Sequence, residues 1–274
     1  MQRSTTWLLF LPLMVSALPL PQDPAPAQPR CYQPGEIIAP DIYVYDGAGR
    51  KRRLLDLAAP ETKVIYLLLF GGPTFNPDRS QGGLWCADTF NDMPISNYLY
   101  LKYRERGVTF MPVACPPIYH ARAFGYPGNQ LLSLPEGRPE WHAALAAFVN
   151  ATQALQNNHV IPFEEIYFDP KFRLLFNYDR LADLPPLPEK APGWTGKFKP
   201  CDDRQCYSTP TIWLLSRSGE VLHEPFAGNR YAPAEQRLRF TAREIENVLL
   251  QALRLAPMSV TTSENAHTRA SDLE

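Results

Sequence analysis

Continuous apolar runs of strand length alternate with amphipathic stretches along the middle of the chain. Lys63 to Phe70 (KVIYLLLF) is apolar at every position after Lys63, the pattern of a central strand covered on both faces. Val108 to Ala114 reads as a second strand of this kind and ends at Cys115-Pro116-Pro117. Between them lies a Gly/Pro/Asn loop, Gly71 to Leu84. Trp85-Cys86 then opens a segment, Asp88 to Arg106, whose helical period is approximate and which Pro94 should kink. Upstream, Glu36 to Tyr45 reads as a strand closed by the turn Asp46-Gly47-Ala48-Gly49. The basic strip Arg50 to Arg53 beyond it is expected to be a solvated edge. Downstream, Glu140 to Asn157 has the periodicity of a helix. Glu165 to Asp169 and Arg173 to Asn177 are short elements whose type periodicity does not separate. Thr211 to Ser216 is a strand, Ser218-Gly219 a turn, Glu220 to His223 its hairpin partner, and Pro233 to Leu255 a terminal amphipathic helix. Strands alternating with helices make this an α/β chain.

The two ends are of different character. One cation at Arg3, an apolar run from Trp7 to Val15 and the small pair Ser16-Ala17 predict a signal peptide over residues 1–17. The run falls short of the ~20 residues that span a bilayer. Residues 18–35, with six prolines between Pro19 and Pro34, are expected to be an extended linker. Cys31 lies in that linker without the small apolar residues that precede a lipidated cysteine. The folded domain is expected over residues 36–256 and a polar, disordered tail over residues 257–274. The expected location is therefore outside the cytoplasm, periplasmic or extracellular, with no membrane insertion after cleavage.

Composition narrows the chemistry. The 29 prolines and 15 glycines among 274 residues exclude a Gly/Ser-rich disordered chain when 45% of positions are hydrophobic. A net charge of -1 gives no electrostatic basis for a nucleic-acid partner. Five cysteines in an exported chain leave at least one thiol unpaired or paired elsewhere.

The element order, with a cysteine at a helix start and a Thr-Pro-Thr before a late strand, carries a specific resemblance. Trp85-Cys86-Ala87-Asp88-Thr89-Phe90-Asn91-Asp92-Met93-Pro94 is similar to the Trp-Cys-x-x-Cys-x-x-x-x-Pro stretch of exported thioredoxin-like proteins of the redoxin / alkyl hydroperoxide reductase–thiol-specific antioxidant superfamily. Ser208-Thr209-Pro210-Thr211 followed by Ser218-Gly219 resembles their cis-proline strand and hairpin. The resemblance spans most of Glu36 to Leu255 and implies a thioredoxin-like fold: a central mixed sheet flanked by helices, here with two loop insertions at about residues 118–139 and 183–205. It also implies Cys86 as nucleophile, with Trp85, Thr209 and Pro210 placing an extended substrate. The chain departs from the family at Thr89, which stands where the second cysteine belongs. A thiolate at a helix N-terminus is stabilised by free N–H groups. Thr89 is able to donate a hydrogen bond to it, but not to attack a mixed disulfide. Cys115, at the carboxyl end of a core strand, is then the candidate resolving thiol. Cys201 and Cys206, just before the expected cis-proline, either form a structural disulfide stapling the insertion or relay to Cys86.

The leading expectation is a thiol-disulfide oxidoreductase with a single active-site thiol, acting on protein or small-molecule thiols and disulfides. A redox-inactive binding module of the same fold and a thiol-dependent peroxidase are the alternatives. No metal and no cofactor are expected: Cys115, His120, Cys201 and Cys206 lack the paired spacing of a zinc site.

Overall fold

The computed structural model describes residues 31–74, 83–117, 131–132, 134–175, 197–198, 209–227, 231–232, 237–238 and 240–255. Its centre is the apolar run read from the sequence, which forms β3 (Val64–Gly71), buried at every position. β3 lies between β6 (Val108–Cys115), which runs parallel to it, and β8 (Thr211–Ser216), which runs antiparallel. The sheet continues past β6 through β7 (Tyr167–Phe168), β1 (Tyr43–Tyr45) and the edge strand β2 (Lys51–Arg53), and past β8 to β9 (Phe226–Ala227). Small two-stranded ladders pair β4 (Pro73–Thr74) with β5 (Gly83–Leu84), and β10 (Tyr231–Ala232) with β11 (Arg237–Leu238).

Side-chain alternation along β3 divides the core in two. Val64, Tyr66, Leu68 and Phe70 face the three helices, α1 (Ala87–Tyr103), α2 (Pro139–Asn157) and α3 (Ala242–Leu255), which bury Leu99 and Tyr103, Trp141 and Phe148, and Ile245 and Leu249 there. Ile65, Leu67 and Leu69 face the other way, with Met111, Val113 and Cys115 of β6 and Trp213 of β8. Among the described residues that second face is covered by irregular chain carrying Tyr32, Ile38, Leu54, Phe172 and Phe198. Each large side chain so buried contributes about 1.5–3 kcal/mol. A mixed sheet with the cysteine-bearing helix between two parallel central strands, a cis Thr209-Pro210 bond at the head of the antiparallel strand and a terminal helix is a thioredoxin-like α/β fold. Among the described residues no helix is long and apolar enough to cross a membrane.

Several expectations change. The period of α1 is indistinct because its outward face is itself apolar: Phe90, Tyr98 and Leu101 are exposed along with Ala87 and Pro94. The terminal helix starts at Ala242, not Pro233, because Thr241 and Glu244 form a capping box. The Thr241 amide donates to Glu244 Oε2 (2.6 Å) and the Glu244 amide to Thr241 Oγ1 (3.3 Å). Glu220 to His223 gives only isolated bridges, at Glu220 and Val221, and the paired strand is β9. Among the described residues of the two ambiguous segments only Tyr167–Phe168 is a strand, and residues 170–175 lie in a turn. The folded part begins before residue 36. Tyr32 is buried, takes an amide from Ala39 on its hydroxyl (3.1 Å), and packs edge-on against Phe198 at 5.0 Å. Cys31, read from the sequence as a linker residue, is buried and disulfide-bonded. Its partner lies outside the described residues. So do Cys201, Cys206 and the bridge expected between them, the segment 1–30, the tail from residue 256 and most of both insertions.

Candidate functional site

The site sits at the carboxyl end of the parallel pair β3–β6, where strand ends and a helix N-terminus converge. Cys86 is the N-cap of α1, in extended conformation, and its carbonyl accepts the first helical amide from Phe90 (3.2 Å). Its thiol is partly exposed and free. The thiol donates to the carbonyl of Thr209 at 3.0 Å, so the helix start and the cis-proline loop meet at the sulfur.

Two glycines at the end of β3 make this approach possible. A Cβ on Gly71 would lie 2.5 Å from Cys86 Cβ and 3.0 Å from Trp85 Cε2, closer than carbon atoms approach. Only a residue without a side chain lets Trp85-Cys86 settle on the strand. At Gly72 a Cβ would lie 2.7 Å from Phe148 Cζ and 3.1 Å from the Cys115 carbonyl. Read from the sequence, Gly71-Gly72 marks only the start of a loop. The doubled glycine at the end of a buried strand is the signal that points to a close approach.

Thr89 is buried one turn along α1, and its hydroxyl accepts the Gly71 amide at 3.1 Å. That hydroxyl therefore ties α1 to the end of β3, and the hydrogen bond on the Cys86 sulfur goes to Thr209 instead. Thr209 and Pro210 are themselves buried.

Cys115 lies on the same edge, paired in register with Gly71. Its carbonyl is a junction, accepting the Gly72 amide (2.9 Å) and the Trp85 indole N–H (2.9 Å). Its thiol is fully buried and free. Burial pushes that thiol well above its ordinary range, and the neighbouring Asp169 carboxylate adds to the effect. Cys115 therefore holds its proton in the folded chain. Asp169 begins a turn that the sequence signals only through Asp169-Pro170. Burial raises its carboxyl, while the amides of Arg173 (3.0 Å) and Leu174 (2.9 Å) donate to it and hold it down in part. Lys171, also in this turn, donates to the carbonyls of Leu132 (2.9 Å) and Leu134 (2.5 Å), and burial lowers it to about 8.

The sequence expectations thus meet at one place for Trp85, Cys86, Thr89, Cys115, Thr209 and Pro210, although Thr89 and Cys115 serve the backbone in the state described. The arrangement offers one partly exposed thiol beside a peptide carbonyl, with an indole on its flank.

No family model and no curated protein matches the sequence. Solved structures similar to this chain include a protein from Chlorobium tepidum assigned as thiol:disulfide interchange protein DsbE (20% identity, TM-score 0.41, 81% of this chain and 98% of that one). Others are MTB dsbF (12%, 0.39, 78% and 96%) and the peroxidoxin BcpB from Mycobacterium tuberculosis (11%, 0.38, 81% and 96%). Likeness at these identities and scores carries no chemistry to the present chain, whose site is read from its own residues.

Proposed function

We propose that the protein is an exported thiol-disulfide oxidoreductase working through the single thiol of Cys86. The observation that carries this reading is the free, partly exposed Cys86 at the N-terminus of α1, in hydrogen-bond contact with the carbonyl that precedes the cis-proline. The Cys86 thiol loses its proton to solvent, and its sulfur attacks a substrate disulfide R–S–S–R′. The Cys86–S–S–R bond forms, the substrate bond breaks, and R′–S⁻ leaves and is protonated by water. A second thiol then discharges the adduct: from outside the chain it attacks the sulfur of R and displaces Cys86, and from within the chain it attacks the Cys86 sulfur, forms a disulfide with it and displaces R–S⁻. Without a cysteine at position 89 that thiol is external, or it is Cys115 after exposure. The Thr209 carbonyl touches the sulfur, and with the adjoining Trp85 and Pro210 it supplies the docking edge for an extended substrate. The disulfide at Cys31 agrees with an oxidising compartment.

One observation favours the redox-inactive reading: Cys115, the other free cysteine among the described residues, is buried and protonated. Incubation of the full chain with a peptide disulfide, followed by intact-mass analysis and peptide mapping, separates the two. An adduct on Cys86 that disappears in Cys86→Ser is expected; a folded chain that forms none is a binding module. The peroxidase alternative requires hydrogen peroxide consumption that Cys86→Ser abolishes.

A further inference from the structure

We propose that Phe172 is a positioning residue that fixes Trp85 as the wall of the Cys86 site, a role that rests on the thiol-exchange reading of that site. Phe172 is fully buried yet holds φ at 54°, in the left-handed region that bulky side chains avoid. Backbone outliers of this kind persist only where their surroundings over-determine them, and they gather at working sites. Here the surroundings are explicit. The Asp169 amide donates to Ala114 at the end of β6 (3.0 Å), and the Phe172 amide closes back on the Asp169 carbonyl (3.1 Å). The Asp169 carboxylate takes the next two amides, of Arg173 and Leu174. A turn held at both ends in this way directs the Phe172 ring at the Trp85 indole, with centroids 6.3 Å apart and planes at 57°.

The indole is then held on three sides. Phe172 packs against it, Gly71 leaves room beneath it, and its N–H is bonded to the Cys115 carbonyl. Because the indole N–H is bonded to the Cys115 carbonyl and the ring lies beside Cys86 over Gly71, a rotation of the indole would break that bond, open the wall next to the thiol and uncover the end of β6. A relaxed backbone at residue 172 with the ring missing should therefore free the indole even where the fold survives.

The test uses the full chain labelled with ¹⁵N-tryptophan, the Trp85 indole resonance being identified by its loss in Trp85→Phe. Phe172→Ala and Phe172→Gly are compared with Phe172→Leu, which keeps an apolar side chain if the smaller residues prevent folding. The expected result is exchange of the Trp85 indole proton at least about tenfold faster in Phe172→Ala and Phe172→Gly, with an intermediate value in Phe172→Leu. The rate of Cys86 adduct formation with the peptide disulfide should change in the same order, while its rate with a small alkylating reagent changes less. Unchanged indole exchange in a folded variant overturns the proposal. So does a freed indole with unchanged Cys86 kinetics toward both reagents. A wild-type Cys86 inert to every disulfide defeats the thiol-exchange reading alone, since the indole readout decides the role of Phe172 without it.

Discussion

The Cys86 thiol and the Thr209 carbonyl, 123 residues apart in the chain, meet at 3.0 Å. A carbonyl only accepts, so this contact requires the proton on sulfur. In the proposed exchange that sulfur forms a mixed disulfide, and the residue type at position 89 bears on how it would be resolved.

Thr89 bonds the Gly71 amide rather than the sulfur. Thr89→Val, equal in shape but without the hydroxyl, leaves that buried amide unsatisfied and should destabilise the fold by about 1–3 kcal/mol in urea unfolding. Thr89→Cys should carry some of the same loss but gain a resolving thiol. Mixed disulfides at Cys86 would then discharge without added thiol, whereas in the wild type they should persist. Adducts equally long-lived in both proteins would count against Cys86 being addressable from position 89.

Gly71 and Gly72 are adjacent but predict different outcomes. The Cβ of Gly71→Ala falls on Cys86 and Trp85, and that of Gly72→Ala on Phe148 and the Cys115 carbonyl. Both should lose about 1–3 kcal/mol through overpacking. Only Gly71→Ala should also change the second-order rate of Cys86 alkylation, measured under conditions where each protein is folded. Equal effects on alkylation would show that the glycine pair supports the fold without a specific role under the thiol.

Whether a feature is legible in the chain depends on the range of the interactions that set it. Lys63 to Phe70 announces itself because a strand buried on both faces must be apolar throughout, and β3 occupies almost that span. Cys86 and the Thr209-Pro210 pair are likewise legible, each through a local motif. Phe172 is not, because its value depends on a left-handed φ and on Trp85, 87 positions away in the chain, and neither leaves a mark on residue type. The prolines around Cys31 give it the look of a linker residue, yet Tyr32 beside it docks on Phe198, a contact between distant segments that local composition does not encode. The start of α3 is legible after all, since Thr241-Ala242-Arg243-Glu244 is a capping box in sequence.

Lys171 predicts an unusual rise in stability on the alkaline side. Its folded value is lowered to about 8 against 10.5 for an ordinary lysine. Between those pH values the unfolded chain therefore binds the more protons, and stability rises with pH. Cys115, raised well above 9.0, and Tyr43, raised to about 12 from 10.0 by burial, act oppositely: the unfolded chain loses their protons first. Unfolding midpoints should climb from pH 8 to 9, level off, and fall above about pH 10. In Lys171→Met the climb should be absent, whatever that variant's absolute stability. A climb that survives the substitution would assign it to another group.

The five cysteines give the last prediction. Cys86 and Cys115 are free and Cys31 is disulfide-bonded, which leaves Cys201 and Cys206 as the residues able to pair with it. Non-reducing peptide mapping after native alkylation should find a cross-link from Cys31 to one of these two, with no bridge joining Cys201 to Cys206. In the same map Cys86 should be alkylated and Cys115 protected, because burial keeps the Cys115 thiol protonated and the Trp85 indole is bonded at its carbonyl. Oxidation with a peptide disulfide before alkylation then tests Cys115 as resolver. A Cys86–Cys115 bridge that accumulates as the Cys86 adduct decays, and that Cys115→Ala abolishes, would mean that the buried thiol becomes exposed during turnover. Adducts that decay only when external thiol is added would leave Cys86 to act alone.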